Sequence, residues 1–294
     1  MCLSLVGSEM CIRDRNSPFD VLDKNIWATA YQAHPYHHST IGWRSDIENV
    51  STDRLKEFYN VYYWPNNATA TIIGDFETSE ALELVKKYFS EHPKSDNPIP
   101  HVYTAEPDQE GERRVVVKRT GQTGIVGVAH KTPAGLHQDT YAFQILSKIL
   151  TDGKSSRFYK GIVDKGLATS LFMYDFPFKD NGLFISYAFL TPNTDNQKVE
   201  SIILNEYSKI ANEGITENEL KKAKAQISSD ISFSRDGSYA IAGALNEALA
   251  IGDWKFYTNF IENINNVSAK DVQSIVKKYL VEDQSTVGWF IPKK

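Results

Sequence analysis

Ile264–Pro292 reads INNVSAKDVQSIVKKYLVEDQSTVGWFIP, and Ile47–Asp75 reads IENVSTDRLKEFYNVYYWPNNATATIIGD. The two stretches align without a gap, position 47 on position 264, an offset of 217 residues. Ile, Asn, Val, Ser, Tyr and Thr recur in register. Core-type positions match in kind, Leu55 with Val272, Phe58 with Ile275, Tyr59 with Val276 and Tyr62 with Tyr279. Ser51 and Ser268 stand where a helix N-cap belongs, and Asp53 and Asp271 put negative charge in the first turn. Leu55, Phe58, Tyr59 and Tyr62 follow at i, i+3, i+4 and i+7, one face of a helix. Pro65 and Asn66 end the first helix, Asp283 marks the turn after the second, and β-rich runs follow, Ala68–Ile73 and Ser285–Ile291. A helix–turn–strand unit used twice implies a duplicated domain.

Working outward, Pro18–Ala33 reads as a helix with Phe19, Leu22, Ile26, Trp27 and Ala30 along one side. His34–Trp43, HPYHHSTIGW, reads as a loop, and Ser79–Phe89 as a helix. Glu91–Gly111 is Pro-rich and aperiodic, the composition of a linker. Beyond it, Arg113–Lys118, Thr123–His130 and Gly182–Leu190 read as strands, and Thr140–Leu150 and Asn196–Asn212 as helices. Ser155–Val163 begins another helix, and Ser238–Ala250, Ala-rich, reads as one more. Thr216 with Glu219 forms a capping box that opens a helix over Glu217–Phe233. Helices beside antiparallel strands give the class α+β.

Duplication carries a size. In the second copy about 150 residues precede the unit, counting from Glu112, and in the first copy only Asn16–Asp46 do. About 120 residues of the first domain are therefore expected to lie outside this chain. The leading residues agree. Leu5–Arg15, LVGSEMCIRDR, resembles a translated sequencing adapter and shows no periodicity, cap or turn chemistry. Met1–Arg15 is set aside as non-native, and it is no secretory signal, because Glu9, Arg13, Asp14 and Arg15 interrupt any apolar run. The expected organisation is residues 1–15 non-native, 16–90 the end of a first domain, 91–111 a linker and 112–294 a complete second domain.

Composition narrows the function. Both cysteines, Cys2 and Cys11, fall in the non-native stretch, which leaves no disulfide and no cysteine-based zinc site. A net charge of −5 without a basic run argues against nucleic acid. No apolar run approaches the roughly 20 residues of a membrane span.

Several strings together resemble one family: AHPYHHSTIGWRSDIENVS, FYNVYYWPNNATATIIGDF, GKSSRFYKGIVDKGLAT, ITENELKKAK and the terminal STVGWFIP. Their order and spacing over Asn16–Lys294 resemble the insulinase or pitrilysin-type zinc metallopeptidases, the inverted zincins. The resemblance implies duplicated α+β domains, each an antiparallel sheet packed with helices, here with the first incomplete. It implies a peptide substrate and hydrolysis by zinc-activated water. It implies as partner a second peptidase half or a homologous subunit, and a periplasmic or other extracytoplasmic compartment. In that family zinc sits on H-x-x-E-H with a distal Glu. This sequence has no H-x-x-E-H. The resemblance places that motif and the distal Glu upstream of the NSPF segment, so zinc is expected in the parent protein and none in this chain. A non-catalytic homologue acting as scaffold or partner subunit is the alternative.

Local candidates are weighed in turn. His34, His37 and His38 form H-x-x-H-H, but adjacent loop histidines without a neighbouring carboxylate do not fix a metal geometry; a loop packed by Pro35, Tyr36 and Trp43 is the simpler reading. Glu91-His92 mimics the end of the zinc motif but follows Tyr88, so it is a helix end. Gly153-Lys154-Ser155 would need Gly at Lys148 to be a phosphate loop. Sequons at Asn49, Asn67 and Asn266 are patterns only, two of them at helix caps. The resemblance suggests an Arg and a Tyr that hold the substrate backbone within Gly161–Thr169, where neither occurs. Arg157 and Tyr159 stand shifted nearby and are the substrate-binding candidates, with a solvated Arg and a packing Tyr as the plain reading. No catalytic and no metal residue is assigned.

Overall fold

The computed structural model describes residues 17–293. Met1–Arg15, set aside above as adapter-like, lies outside the described residues. Five strands make one sheet in the order β1-β5-β2-β4-β3. They are β1 Arg113–Thr120, β2 Ile125–Lys131, β3 Ala168–Tyr174, β4 Leu183–Leu190 and β5 Ser285–Lys293. The inner strands β2 and β4 are buried along almost their whole length, because helices cover both faces of the sheet. One face carries α5 (Asp139–Thr151), α6 (Asn196–Glu213), α7 (Glu217–Ser234), α10 (Phe260–Asn266) and α11 (Ala269–Tyr279). Val126, Val128, Phe143, Leu146, Phe184, Ile203, Ile227 and Ile275 meet there. Among the described residues, the other face carries α1 (Pro18–Ala30) alone. The class is α+β, as the sequence implies.

α1 starts where Ser17 accepts the Asp20 N–H at 3.3 Å and Pro18 fills the first turn. Leu22, Ile26 and Ala30, four residues apart, are fully buried against Ile125, Ala129, Tyr187 and Phe290. Burying the Leu and Ile side chains contributes about 2 kcal/mol each. Ile26 lies over Gly127 and Gly288, where a Cβ would collide with it. The helix comes from the leading part of the chain, yet it packs on the sheet of the trailing part.

The structure departs from the sequence expectations at several elements. β1 pairs with β5 in parallel, not antiparallel; the intervening chain crosses the sheet and returns, which permits it. β3 is a further strand, not marked by the sequence pattern, because it is an edge strand with Thr169, Ser170 and Phe172 exposed and lacks a buried strand's apolar run. Ser155–Val163 is not an α-helix throughout: Tyr159–Val163 is a π-turn. The first helix stops at Ala30 rather than Ala33, because the N–H groups of Gln32, Ala33 and His34 turn to the Glu106 carboxylate. Ala68–Ile73 is not in a strand, since no neighbouring strand among the described residues offers it a ladder.

The repeat is visible in three dimensions. α2 (Arg44–Asn49), α3 (Thr52–Tyr62) and the 3-10 turn Pro65–Asn67 correspond to α10, α11 and the 3-10 turn Glu282–Gln284. Ser51 accepts the Arg54 N–H at 3.3 Å, and Ser268 accepts that of Asp271 at 3.2 Å. Burial separates the copies. Val272, Ile275 and Val276 on α11 are at most 2% exposed, whereas Leu55, Phe58 and Tyr59 on α3 are 56–58% exposed. The same amphipathic helix is roofed in one copy and bare in the other. α4 (Thr78–Phe89), α8 (Ser238–Ile251) and α9 (Lys255–Thr258) complete the α-helices among the described residues.

Candidate functional site

The HPYHH loop is built on the end of α1 and held by the stretch expected to be a linker. The Glu106 carboxylate is largely buried and accepts the N–H groups of Gln32, Ala33 and His34 at 2.8–3.1 Å. Lys131 Nζ on β2 donates to it at 2.9 Å, and Arg113 on β1 lies 3.6 Å away. Burial by itself would raise its pKa. The Lys131 ammonium and the three N–H donors outweigh that and bring it down to about 2. One carboxylate thus ties the loop, the linker and two strands together.

Within the loop the imidazole of His34 is nearly buried. Its Nδ1 accepts the Tyr36 N–H at 3.2 Å and its Nε2 faces Asp180 at 3.5 Å. The Tyr36 hydroxyl accepts the Asp180 N–H at 3.3 Å, and Tyr31 donates to the Asn181 carbonyl at 2.6 Å. Trp27, Tyr31, Tyr36, Tyr174 and Phe178 stack and cross as one aromatic group. The loop is therefore docked on the segment between β3 and β4. Neither Glu106 nor Asp180 stood out in the sequence. The N–H groups of Gln32, Ala33 and His34, past the last turn of α1, need acceptors, and nothing local in the sequence shows which residue supplies one.

The described residues do not fit the zinc that the resemblance implies. Both nitrogens of His34 already face Tyr36 and Asp180. His37 Nδ1 lies 2.7 Å from the His34 carbonyl, and the His37 and His38 rings sit against each other with centroids 3.8 Å apart. Among the described residues no three His, Cys, Asp or Glu side chains converge as a metal group. The histidines form a packed loop.

Arg157 and Tyr159 lie on the other face of the sheet. Arg157 Nε and Nη2 donate to the two Glu219 oxygens at 2.7 and 2.9 Å, and Nη1 donates to Glu206 at 3.0 Å. Nη2 also reaches the Gly214 carbonyl at 3.4 Å. Glu219 is the third residue of the capping box opening α7, so Arg157 binds the start of α7 to α6. Its guanidinium holds the Glu219 carboxyl down at about 2. Tyr159 is half-buried at the start of the π-turn. The structure thus engages Arg157 inside the fold and does not bring it to the HPYHH loop.

A polar cleft of about 310 Å³ opens between α5 and the edge strand β3. Gln144, Ser147, Lys148 and Thr151 line it from one helical face, and Asp152 and Asp175 close it. Lys148 pairs with Asp230 at 2.6 Å and with Asp152 at 3.5 Å. Burial raises the Asp175 pKa, and the Ser147 hydroxyl and Lys148 offset part of that. The Gly153-Lys154-Ser155 turn beside it is exposed, with Gly153 at φ +72° and Ser155 accepting from Lys222.

Residues 49–227 match the family described as the peptidase M16 inactive domain. The zinc protease PqqE of Helicobacter pylori is 31% identical over 98% of this chain and 66% of its own length. The crystal structure of a protease from Helicobacter pylori superposes with a TM-score of 0.92 at 31% identity, covering 98% of this chain and 71% of that one. A peptidase M16 inactive domain from Pseudomonas fluorescens superposes with a TM-score of 0.85 at 17% identity, over 100% of this chain and 70% of that one, a likeness of fold. The chain thus spans about two thirds of the length of the curated relative, PqqE. With the duplicated unit, the docked HPYHH loop and these matches together, the chain belongs to the insulinase-like M16 peptidase family.

Proposed function

We propose that this chain is the non-catalytic part of a zinc-dependent metalloendopeptidase. It supplies cleft wall and substrate contacts to a catalytic part that carries the zinc. One observation bears most of this reading: the sequence matches a zinc protease over 98% of its length yet has no H-x-x-E-H. The bare face of α3 supports it, since Leu55, Phe58 and Tyr59 have the pattern of a core helix without a roof. In this reading residues 16–90 end the catalytic-type domain, 91–111 join the domains, and 112–294 form the second. The partner is a second peptidase half or a homologous subunit, the substrate an unfolded peptide and the compartment extracytoplasmic. Arg157 acts on substrate only through the turn it holds, and Tyr159 is the side chain left to meet a peptide.

The match to an inactive-domain family favours one second reading, a non-catalytic homologue serving as scaffold. Sequencing the gene upstream of Asn16 and assaying its complete product separates the two. An H-x-x-E-H with chelator-sensitive peptidase activity supports the proposal. An open frame without the motif, and a product without activity, favours the scaffold.

A further inference from the structure

Phe19, Asp23 and Trp27 recur at four-residue spacing along α1, on one side of the helix. Phe172 and Tyr174 of β3 and Tyr187 of β4 stand against them. The Phe19 ring lies edge-on to Phe172 and to Tyr187, with centroids 5.9 and 4.9 Å apart. Trp27 lies edge-on to Tyr174 at 5.8 Å, and Phe172 stacks along Tyr187 at 6.2 Å. α1 is seated over β1, β5 and β2, so the trough between it and β3 stays partly open. Phe172 is 40% exposed there, and Asp23, Trp27 and Tyr174 are part-exposed.

One carboxylate sits in this aromatic wall. The Tyr187 hydroxyl donates to Asp23 Oδ1 at 2.6 Å, and the Trp27 side chain also donates to the Asp23 carboxylate. Both donors are neutral. Burial raises the Asp23 pKa, and the two hydrogen bonds offset only part of that. The adjacent Lys24 turns away to lie over the Trp43 ring, 3.8 Å from its centroid. A carboxylate offers about four acceptor positions, and these donors take two of them. A guanidinium matches what is left: it donates to a carboxylate as a fork and stacks on aromatic faces. A lysine ammonium is a compact, strongly hydrated charge and fits the rings less well. An apolar side chain would bury the carboxylate without a counter-charge.

We infer that the trough between α1 and β3 is a subsite for an arginine side chain of a bound peptide. Asp23 supplies the anion, and Phe19, Trp27, Phe172 and Tyr187 supply the walls. The inference rests on the peptidase reading for the peptide itself and adds the class of side chain that this part of the protein selects. Asp23 also serves the fold as the acceptor of the Tyr187 hydroxyl. Asp23→Asn separates the two roles, because it keeps an acceptor oxygen and removes the charge.

The test uses the full chain and a short, unstructured, fluorescein-labelled peptide with one central arginine, beside the same peptide carrying citrulline there. Citrulline keeps the shape and loses the charge. Fluorescence anisotropy should show the arginine peptide binding about tenfold more tightly, with a lysine version in between. Asp23→Asn should bring that preference close to unity, while near-ultraviolet circular dichroism and urea unfolding stay near wild type. If that variant loses stability, Phe172→Leu at the exposed rim gives the second reading, and it should lower the preference severalfold. No binding of either peptide, equal affinities, or a preference that survives Asp23→Asn would overturn the subsite. The two readings fail separately. A complete protein without peptidase activity would sink the peptidase reading and leave the arginine preference standing, whereas an active one that binds both peptides equally would sink the subsite alone.

Discussion

The Glu106 carboxylate accepts the backbone N–H of His34 at 3.0 Å, across 72 residues of chain. With Gln32, Ala33 and Lys131 on the same two oxygens, it is the clasp that seats the HPYHH loop. Replacing Glu106 with Ala leaves three N–H donors and the Lys131 ammonium in a poorly hydrated place. A loss of about 3 kcal/mol in urea unfolding is expected, with faster hydrogen exchange at residues 32–38. Unchanged exchange there would mean that Glu106 does not hold the loop.

The same carboxylate gives an acid dependence. Its folded pKa lies below its ordinary 4.5, near 2. Its stabilisation is therefore complete above about pH 5 and disappears as pH falls through 4.5 toward 2. Wild-type stability should decline more steeply across that window than that of Glu106→Gln.

His130 acts in a higher window. It is buried on the face that carries α6, with its ring edge-on to Tyr207. Burial pushes it from 6.5 down to about 4, only partly countered by the Val281 carbonyl, so it folds neutral. The unfolded chain takes up a proton that the native one refuses, and stability falls as pH drops from 6.5 to 4, by about 3 kcal/mol in all. His130→Leu should flatten the stability profile between those values, whatever it does to stability at pH 8.

Much of this architecture is legible in the residues themselves. Ser51 and Ser268, Thr216 with Glu219, and the stripe Leu22, Ile26 and Ala30 mark helices by local chemistry, and the structure places helices there. The strand at Ala68–Ile73 has the right residues and no ladder, because a strand is a property of its neighbours as well as of its sequence. β3 was missed for a related reason: at the sheet edge Thr169, Ser170 and Phe172 meet solvent, and edge burial is set by the fold. Glu106 and Asp180 were invisible because nothing in a linker or loop shows which distant N–H it will meet.

Arg157 offers a sharper choice. Its donors are engaged by Glu219 and Glu206, so a double-mutant cycle of Arg157→Ala with Glu219→Ala should show coupling of about 2 kcal/mol in unfolding. Coupling near zero, with peptide binding lost in the complete protein, would return Arg157 to direct substrate contact.

Gly288 tests the seat of α1. A Cβ there would enter the Ile26 side chain, and Gly288→Ala should cost about 1–3 kcal/mol. Ile26→Val should recover part of that loss in the double variant. A purely additive result would mean that the helix does not press on β5 as described.

The chain belongs to the M16 peptidase family, and the proposal is that it does not itself carry the zinc chemistry. Metal analysis of the purified chain after equilibration with zinc, read beside cleavage of an unfolded peptide with and without chelator, tests it most directly. Substoichiometric, weakly held zinc and no chelator-sensitive cleavage are expected. One tightly bound zinc per chain, with cleavage that the chelator abolishes, would contradict it.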